Sequence, residues 1–357
     1  MALSSTKRAW IAVAAMVCVA GIGGAIYLHH LRQPLPAPAA TSGPAPSLLD
    51  ELPEDAPSIA YIDVAALRKL QNSPLAGLLG LTGTVSSPAA GQPIDRDYAQ
   101  FVRDTGFDYT RDLDQAAIAF WPSDLSPAAN AAGDNPSLAI ADGRFDQHKI
   151  VAYALHVGGK AEVADGHTRY VVPGKPTVAF EFLSATRIAI ASGKDPANLL
   201  NLPVRSAPDP AMQARIKRVA GAPIFGIART DHLPASFYAD FKNSPQLEHL
   251  VRSIQGLSLS GQPEGDDIHL ALDAECDSMT NAIEISTLLD GFRLVGAMSL
   301  SDPNVRRQAQ MTAQQAAFLE AVIKQAKVSH QDRWVRISLD VTPAMLGEPA
   351  EPRAKKR

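Results

Sequence analysis

Two cysteines in 357 residues, Cys18 and Cys276, are too few for a disulfide framework. Cys18 lies inside an apolar run, so the soluble part must fold on its hydrophobic core. An oxidising compartment then requires Cys276 to be buried or tolerated as a lone thiol. Cysteine pairs for zinc are missing too. Concentrated positive charge is scarce: the formal net charge is -4, and the one basic cluster is the terminal RAKKR at 353–357. Such a cluster reads as a solvated tail, and no nucleic-acid partner is expected. The chain has no Gly-x-Ser-x-Gly elbow, no Ser-x-x-Lys with its usual partners and no His-Glu-x-x-His. Nothing therefore assigns a catalytic, cofactor-binding or metal-binding residue, no cofactor is expected, and a non-enzymatic role is favoured.

Several groupings still invite a chemical reading. Asp95-Arg96-Asp97 and Arg111-Asp112-Leu113-Asp114 contain clustered carboxylates, but an arginine sits inside each, and the first opens a helix where Asp is favourable anyway. Gly265-Asp266-Asp267 falls between two strands and reads as turn chemistry, because a calcium loop needs several oxygen ligands at regular spacing. Gly158-Gly159-Lys160 lacks the glycine spacing and the Lys-Ser/Thr ending of a phosphate loop. His148, His156, His167, His232, His249, His269 and His330 are scattered without ligand spacing, and exposed or capping roles are their default.

What the chain does have is an unbroken apolar run at 9–28, AWIAVAAMVCVAGIGGAIYL. As a helix it spans about 30 Å, enough to cross a bilayer. Trp10 and Tyr27 stand near its ends, and Lys7 and Arg8 precede it, which places the N-terminal residues 1–8 in the cytoplasm. A cleaved signal peptide is disfavoured by the length of the run and by Tyr27-Leu28-His29-His30, which lacks the small residues of a cleavage site. Lipidation at Cys18 is disfavoured because Val17 stands where a small residue is needed. The sequence thus predicts a single-pass protein of a cytoplasmic membrane, with its soluble part in the periplasm or outside.

Residues 29–46 form a Pro/Ala-rich linker, in which QPLPAPAATSGPAP at 33–46 is an extended spacer. Stretches 81–93 and 123–136 read as surface loops. Beyond the spacer, strand and helix signals alternate. Strands are expected at 58–64, 116–121, 137–144, 178–182, 188–190, 222–229, 254–260, 267–274 and 333–341. Helices are expected from 65 onward and at 96–105, 148–157, 278–292 and 303–327. Asp195-Pro196, Asp209-Pro210, Asp302-Pro303 and Thr342-Pro343 supply the cap and first-turn proline that begin a helix. Residues 222–229, APIFGIAR, resemble 56–63, APSIAYID. The expectation is an α+β fold of two related units, 47–205 and 206–347, each an antiparallel sheet with helices on one face, followed by a disordered basic tail at 348–357.

The stretch LPEDAPSIAYIDVAALR at 52–68, with DTGFDYTRDLD at 104–114, resembles the opening of uncharacterised single-span bacterial envelope proteins that carry a domain of unknown function. That resemblance implies an extracytoplasmic domain and brings no site residues. Apart from the membrane, reached through 9–28, the partner expected is an envelope protein or an apolar ligand. A non-catalytic binding module comes first, marked by an exposed apolar patch. A carrier or sensor of an apolar small molecule comes second, marked by a large apolar cavity between sheet and helices. An envelope enzyme whose site is invisible in sequence is the third reading.

Overall fold

The computed structural model describes residues 47–69, 96–121, 136–164, 166–201, 209–232, 244–265, 267–301, 313–342 and 345. The run at 9–28, the linker and the basic tail lie outside them, as do most of the two expected loops. Among the described residues no helix is long and apolar enough to cross a membrane.

A 3-10 turn (Ser47–Glu51) leads into β1 (Ser58–Asp63) and the short helix α1 (Val64–Arg68). Helices α2 (Arg96–Thr105) and α3 (Tyr109–Asp112) precede β2 (Leu113–Phe120) and β3 (Ser137–Gly143). Helix α4 (Gln147–His156) is followed by a four-stranded meander, β4 (Lys160–Ala164), β5 (His167–Val172), β6 (Thr177–Phe182) and β7 (Arg187–Gly193). Next come α5 (Pro196–Leu200), α6 (Pro210–Val219), β8 (Ile224–Arg229), α7 (Pro245–Arg252), β9 (Ile254–Glu264) and β10 (Asp267–Cys276). The chain closes with α8 (Met279–Ser301), α9 (Ala313–Gln325), β11 (Lys327–Gln331) and β12 (Trp334–Val341).

The strands form one 12-stranded sheet in the order β11-β12-β10-β9-β8-β1-β2-β3-β7-β6-β5-β4. This corrects the expectation of a separate sheet in each half. The reason lies in the two similar segments, because β1 and β8 pair with each other antiparallel from Ser58↔Ala228 to Ile62↔Ile224. Two reciprocal bonds close the ends of that pair: the Asp63 amide donates to the Pro223 carbonyl at 2.7 Å, and the Arg229 amide donates to the Pro57 carbonyl at 2.8 Å. Each strand thus satisfies the edge of the other, which would otherwise present unpaired backbone groups.

The described residues separate into two compact units, one within 47–268 and one within 269–345. In the larger unit both faces of the sheet are buried. Ile59, Tyr61, Ala117, Ala119, Leu138 and Ile140 join one core with Leu48, Leu200, Met212 and Ile216. Their strand neighbours Ala116, Ala141 and Ile188 join a second core with Ile150 and Ala154 of α4. Alternate residues of a strand point to opposite faces, so helices cover both sides here, and the expectation of one covered face is corrected. The near-continuous apolar runs AAIAF in β2 and LAIA in β3 have this cause, since a strand buried twice has no polar side.

Caps fix several helix starts. The Asp63 carboxylate accepts from the Ala66 amide at 2.7 Å, and Asp209 accepts from Ala211 and Met212 at 2.8 and 2.9 Å. Asp195 precedes α5 as expected, but its carboxylate accepts from the Asn198 side chain rather than from a backbone amide. Asp302-Pro303 lies outside the described residues, and so does Pro343.

In the smaller unit α8 packs on α9, β11 and β12. Its buried residues Ala282, Ile285, Phe292 and Leu300 contribute to the apolar core, as do Ala316, Ile323, Val335 and Val341. Helix α8 continues nine residues past the expected end at Phe292, through Gly296. Of the expected helix at 303–327, residues Ala313–Gln325 are helical and 302–312 lie outside the described residues.

Candidate functional site

The sequence groupings resolve mainly into structure. Asp108 caps α3, accepting from the Thr110 amide at 2.9 Å and from its hydroxyl at 2.7 Å. Asp112 is buried, accepts from the Asp108 amide at 3.0 Å and pairs with Arg111 at 2.6 Å and Arg144 at 3.5 Å. Burial alone would raise its pKa, but those hydrogen bonds and the two arginines outweigh it and hold the carboxyl below its usual range. Asp114 pairs with Arg68 at 2.6 Å. A carboxylate cluster this neutralised has no vacant acid-base role. Asp95 and the Asp97 side chain lie outside what the structure describes.

Gly158-Gly159-Lys160 follows the C-terminus of α4, where the Gly158 amide donates to Leu155 at 3.2 Å and the Gly159 amide to Ala154 at 2.8 Å. Both amides are consumed, and a helix C-terminus carries partial negative charge, the wrong polarity for a phosphate. Gly265 adopts φ 65°, the left-handed conformation of a turn. His148, His156, His167 and His249 are exposed on the larger unit, and the His232 side chain lies outside what the structure describes. Ser286 Oγ lies 3.1 Å from His330 Nδ1, a spacing that suggests a nucleophile and base. The hydroxyl, however, also donates its single proton to the Ile283 carbonyl of its own helix at 2.9 Å. That back-bond inside a packed helix is structural.

Two features of the smaller unit have no such account. The first is the outer side of α8. Met279, Ile283, Leu294, Val295 and Met298 are exposed there, Met298 at 77%, and they make up five of the eleven exposed large apolar residues among the described residues. At 100° per residue, Met279, Ile283, Leu294 and Met298 fall within an arc of about 100°. An apolar residue set on both sides of a helix is expected of a buried helix, yet one side of α8 is exposed among the described residues. Phe318 of α9 is exposed as well.

The second feature is a basin of about 450 Å³ lined by Asp290 and Arg293 of α8, Lys324 and Gln325 of α9, Ala326, Lys327, Val328 and Asp340. Arg293 pairs with Asp290 at 3.0 Å and Lys324 with Glu320 at 2.7 Å. Asp340 accepts from His269 Nδ1 at 2.7 Å and faces Lys327 Nζ at 3.7 Å. The His269 hydrogen bond holds the Asp340 carboxyl below its usual range, against the opposing effect of burial. The lining is ionic, whereas a carrier of apolar molecules needs a largely apolar one. Leu294 and Val295 follow Arg293 directly in α8, so the ionic basin and the apolar row share one helix.

Sequence reasoning missed this site because it ended the helix at Phe292, before Leu294, Val295 and Met298. The available signal was the apolar spacing of LLDGFRLVGAMSL across Gly291 and Gly296, two residues that weaken a helix but do not end one packed on neighbours.

No family model matches the chain, and no curated protein matches it. Among solved structures it is similar to crystal form I of TP0453, with TM-score 0.41 and 12% identity over 86% of this chain and 96% of that one. Crystal form IV of TP0453 gives TM-score 0.42 and 10% identity over 84% and 95%. The similarity is too distant to assign a family.

Proposed function

We propose that this chain is a membrane-tethered envelope protein whose extracytoplasmic part is a non-catalytic binding module, with the outer side of α8 as its interaction face. The exposed row Met279, Ile283, Leu294, Val295 and Met298 carries the reading, because clustered exposed apolar side chains on a globular protein mark contact surfaces. The tether is the 9–28 run, with its Lys7 and Arg8 flank on the cytoplasmic side. An ionic basin beside the row favours surface contact over storage of an apolar molecule. The test is cysteine accessibility in intact cells, read with a membrane-impermeant maleimide. Ser5→Cys should stay unlabelled and Val163→Cys, at an exposed position, should label; the opposite pattern overturns the topology.

We also infer that the fold contains an internal duplication. Residue pairs 56/222 through 63/229 share an offset at which Ala60 faces Gly226 across the β1–β8 pair, so corresponding residues meet at a local two-fold axis. The strand order supports the inference. From β1 it runs β1-β2-β3 and then the returning strands β7-β6-β5-β4; from β8 it runs β8-β9-β10 and then β12-β11. Superposing 56–120 on 222–264 in an experimental structure should place Ala60 over Gly226, and a shifted register would end the idea.

A further inference from the structure

We propose that the outer side of α8, together with the basic side chains of the adjoining basin, rests on the surface of an anionic phospholipid bilayer. The inference depends on the tethered reading above and adds the identity of the partner.

Three observations point to lipid. The face is long: α8 has 23 residues, and its exposed apolar side chains form two groups, Met279 with Ile283 and Leu294 with Val295 and Met298, whose outer ends stand about 28 Å apart along the axis. Such a face suits a planar surface better than a single pocket. Its members are aliphatic or thioether side chains, which can bury apolar area at a bilayer boundary. Flexible apolar side chains of this kind enter the boundary between headgroups and acyl chains without needing a matched cavity.

Charge is the second observation. Lys324 and Lys327 have largely exposed side chains, 64% and 66%, and Arg293 is partly exposed beside them. Their carboxylate partners are Glu320, Asp340 and Asp290, so the cations are already compensated within the protein. The Lys327–Asp340 contact at 3.7 Å is the loosest of the three, and exposed ion pairs exchange readily for a phosphate partner. The basic side chains therefore tune the contact and the apolar row drives it.

The tether supplies the third. The 14 spacer residues at 33–46 reach about 43 Å when extended. A chain tethered within that reach meets the bilayer at high effective concentration, so a modest intrinsic affinity is enough for docking.

The test uses the full chain reconstituted in vesicles, with Cys18→Ala to leave one reactive position and Cys276 kept because it is buried. A nitroxide on Met298→Cys is read by its accessibility to oxygen and to a water-soluble nickel chelate, with Val163→Cys as the aqueous control. In phosphatidylglycerol-containing vesicles the Met298 label should gain oxygen and lose nickel accessibility, while the control stays aqueous. Reversing Lys324→Glu and Lys327→Glu, both at exposed positions, should lower the docked-to-undocked ratio about tenfold in anionic vesicles and little in phosphatidylcholine. A Met298 label that remains aqueous in anionic vesicles overturns the inference. So does protection accompanied by dipolar broadening between labels, which would assign the face to a second copy. Alkaline carbonate extraction separates the two levels of the argument. Release of the chain from vesicles refutes the tether, whereas a retained chain with an aqueous Met298 refutes the docking alone.

Discussion

Removing the Arg336 side chain should unfold the smaller unit more readily than any surface change, and the geometry sets the size of the effect. Asp273 is fully buried on β10, and the Arg336 guanidinium meets it from β12 with two bonds, Nε to Oδ1 at 2.7 Å and Nη2 to Oδ2 at 2.6 Å. Arg336→Ala leaves a buried carboxylate without its counter-charge, which costs about 3–5 kcal/mol. Replacing both partners, Asp273→Leu with Arg336→Met, removes the desolvation of two charges along with their attraction, and the double variant should lie within about 1 kcal/mol of the parent. The coupling energy of the cycle then exceeds about 2 kcal/mol, beyond the usual range for independent sites. Trp334 is two residues from Arg336 on β12 and reports locally. The assay is urea unfolding followed by its fluorescence in a Trp10→Phe, Trp121→Phe background. A loss below about 1 kcal/mol for Arg336→Ala, or equal losses for the single and double variants, would refute the claim that this pair is dry and mutually dependent.

Gly256→Ala should destabilise the larger unit by about 1–3 kcal/mol, because a Cβ there would lie 2.3 Å from Nε of buried Arg215; a thermal melt unchanged from the parent would contradict it. Gly226→Ala should instead stabilise by about 0.4–1 kcal/mol through the unfolded chain, since among the described residues the added methyl would meet only the Ile59 carbonyl oxygen at 3.8 Å and the twofold-related position already carries Ala60; a lowered melting temperature would count against it. The Arg187 hydrogen bonds hold the Asp142 carboxyl below its ordinary 3.8, aided by Gln115, so its contribution is present above that value and is lost as pH falls through the folded-state pKa. Asp142→Asn should therefore flatten stability against pH in the acid limb below about pH 4 and leave the neutral slope unchanged. Cys276 is fully buried, and burial pushes its thiol up to about 11. Alkylation at pH 8 should thus require unfolding, and rapid labelling of native protein would refute the packing around it.

The sequence by itself determined the local grammar of this protein. Alternation placed β6, β7, β9, β10 and β12, Asp-Pro pairs placed the starts of α5 and α6, and the likeness of 56–63 to 222–229 marked the two strands at the centre of the sheet. These were legible because periodicity, caps and turn residues act within a few positions of one another. The exposed strand β4, the short helix α7 and the second half of α8 were not, since their apolar spacing is weak or interrupted by glycine. Only tertiary structure decided that both halves contribute to one sheet, because strand partners are chosen by long-range pairing and β1 could equally have met another edge. Only it decided that Arg169 and Glu181, opposite each other on β5 and β6, are a buried pair rather than two surface charges. The same holds for α8: its residues are apolar on every side in the sequence, and it is packing against α9, β11 and β12 that buries Ile285 and Phe292 and leaves Leu294 and Met298 facing outward.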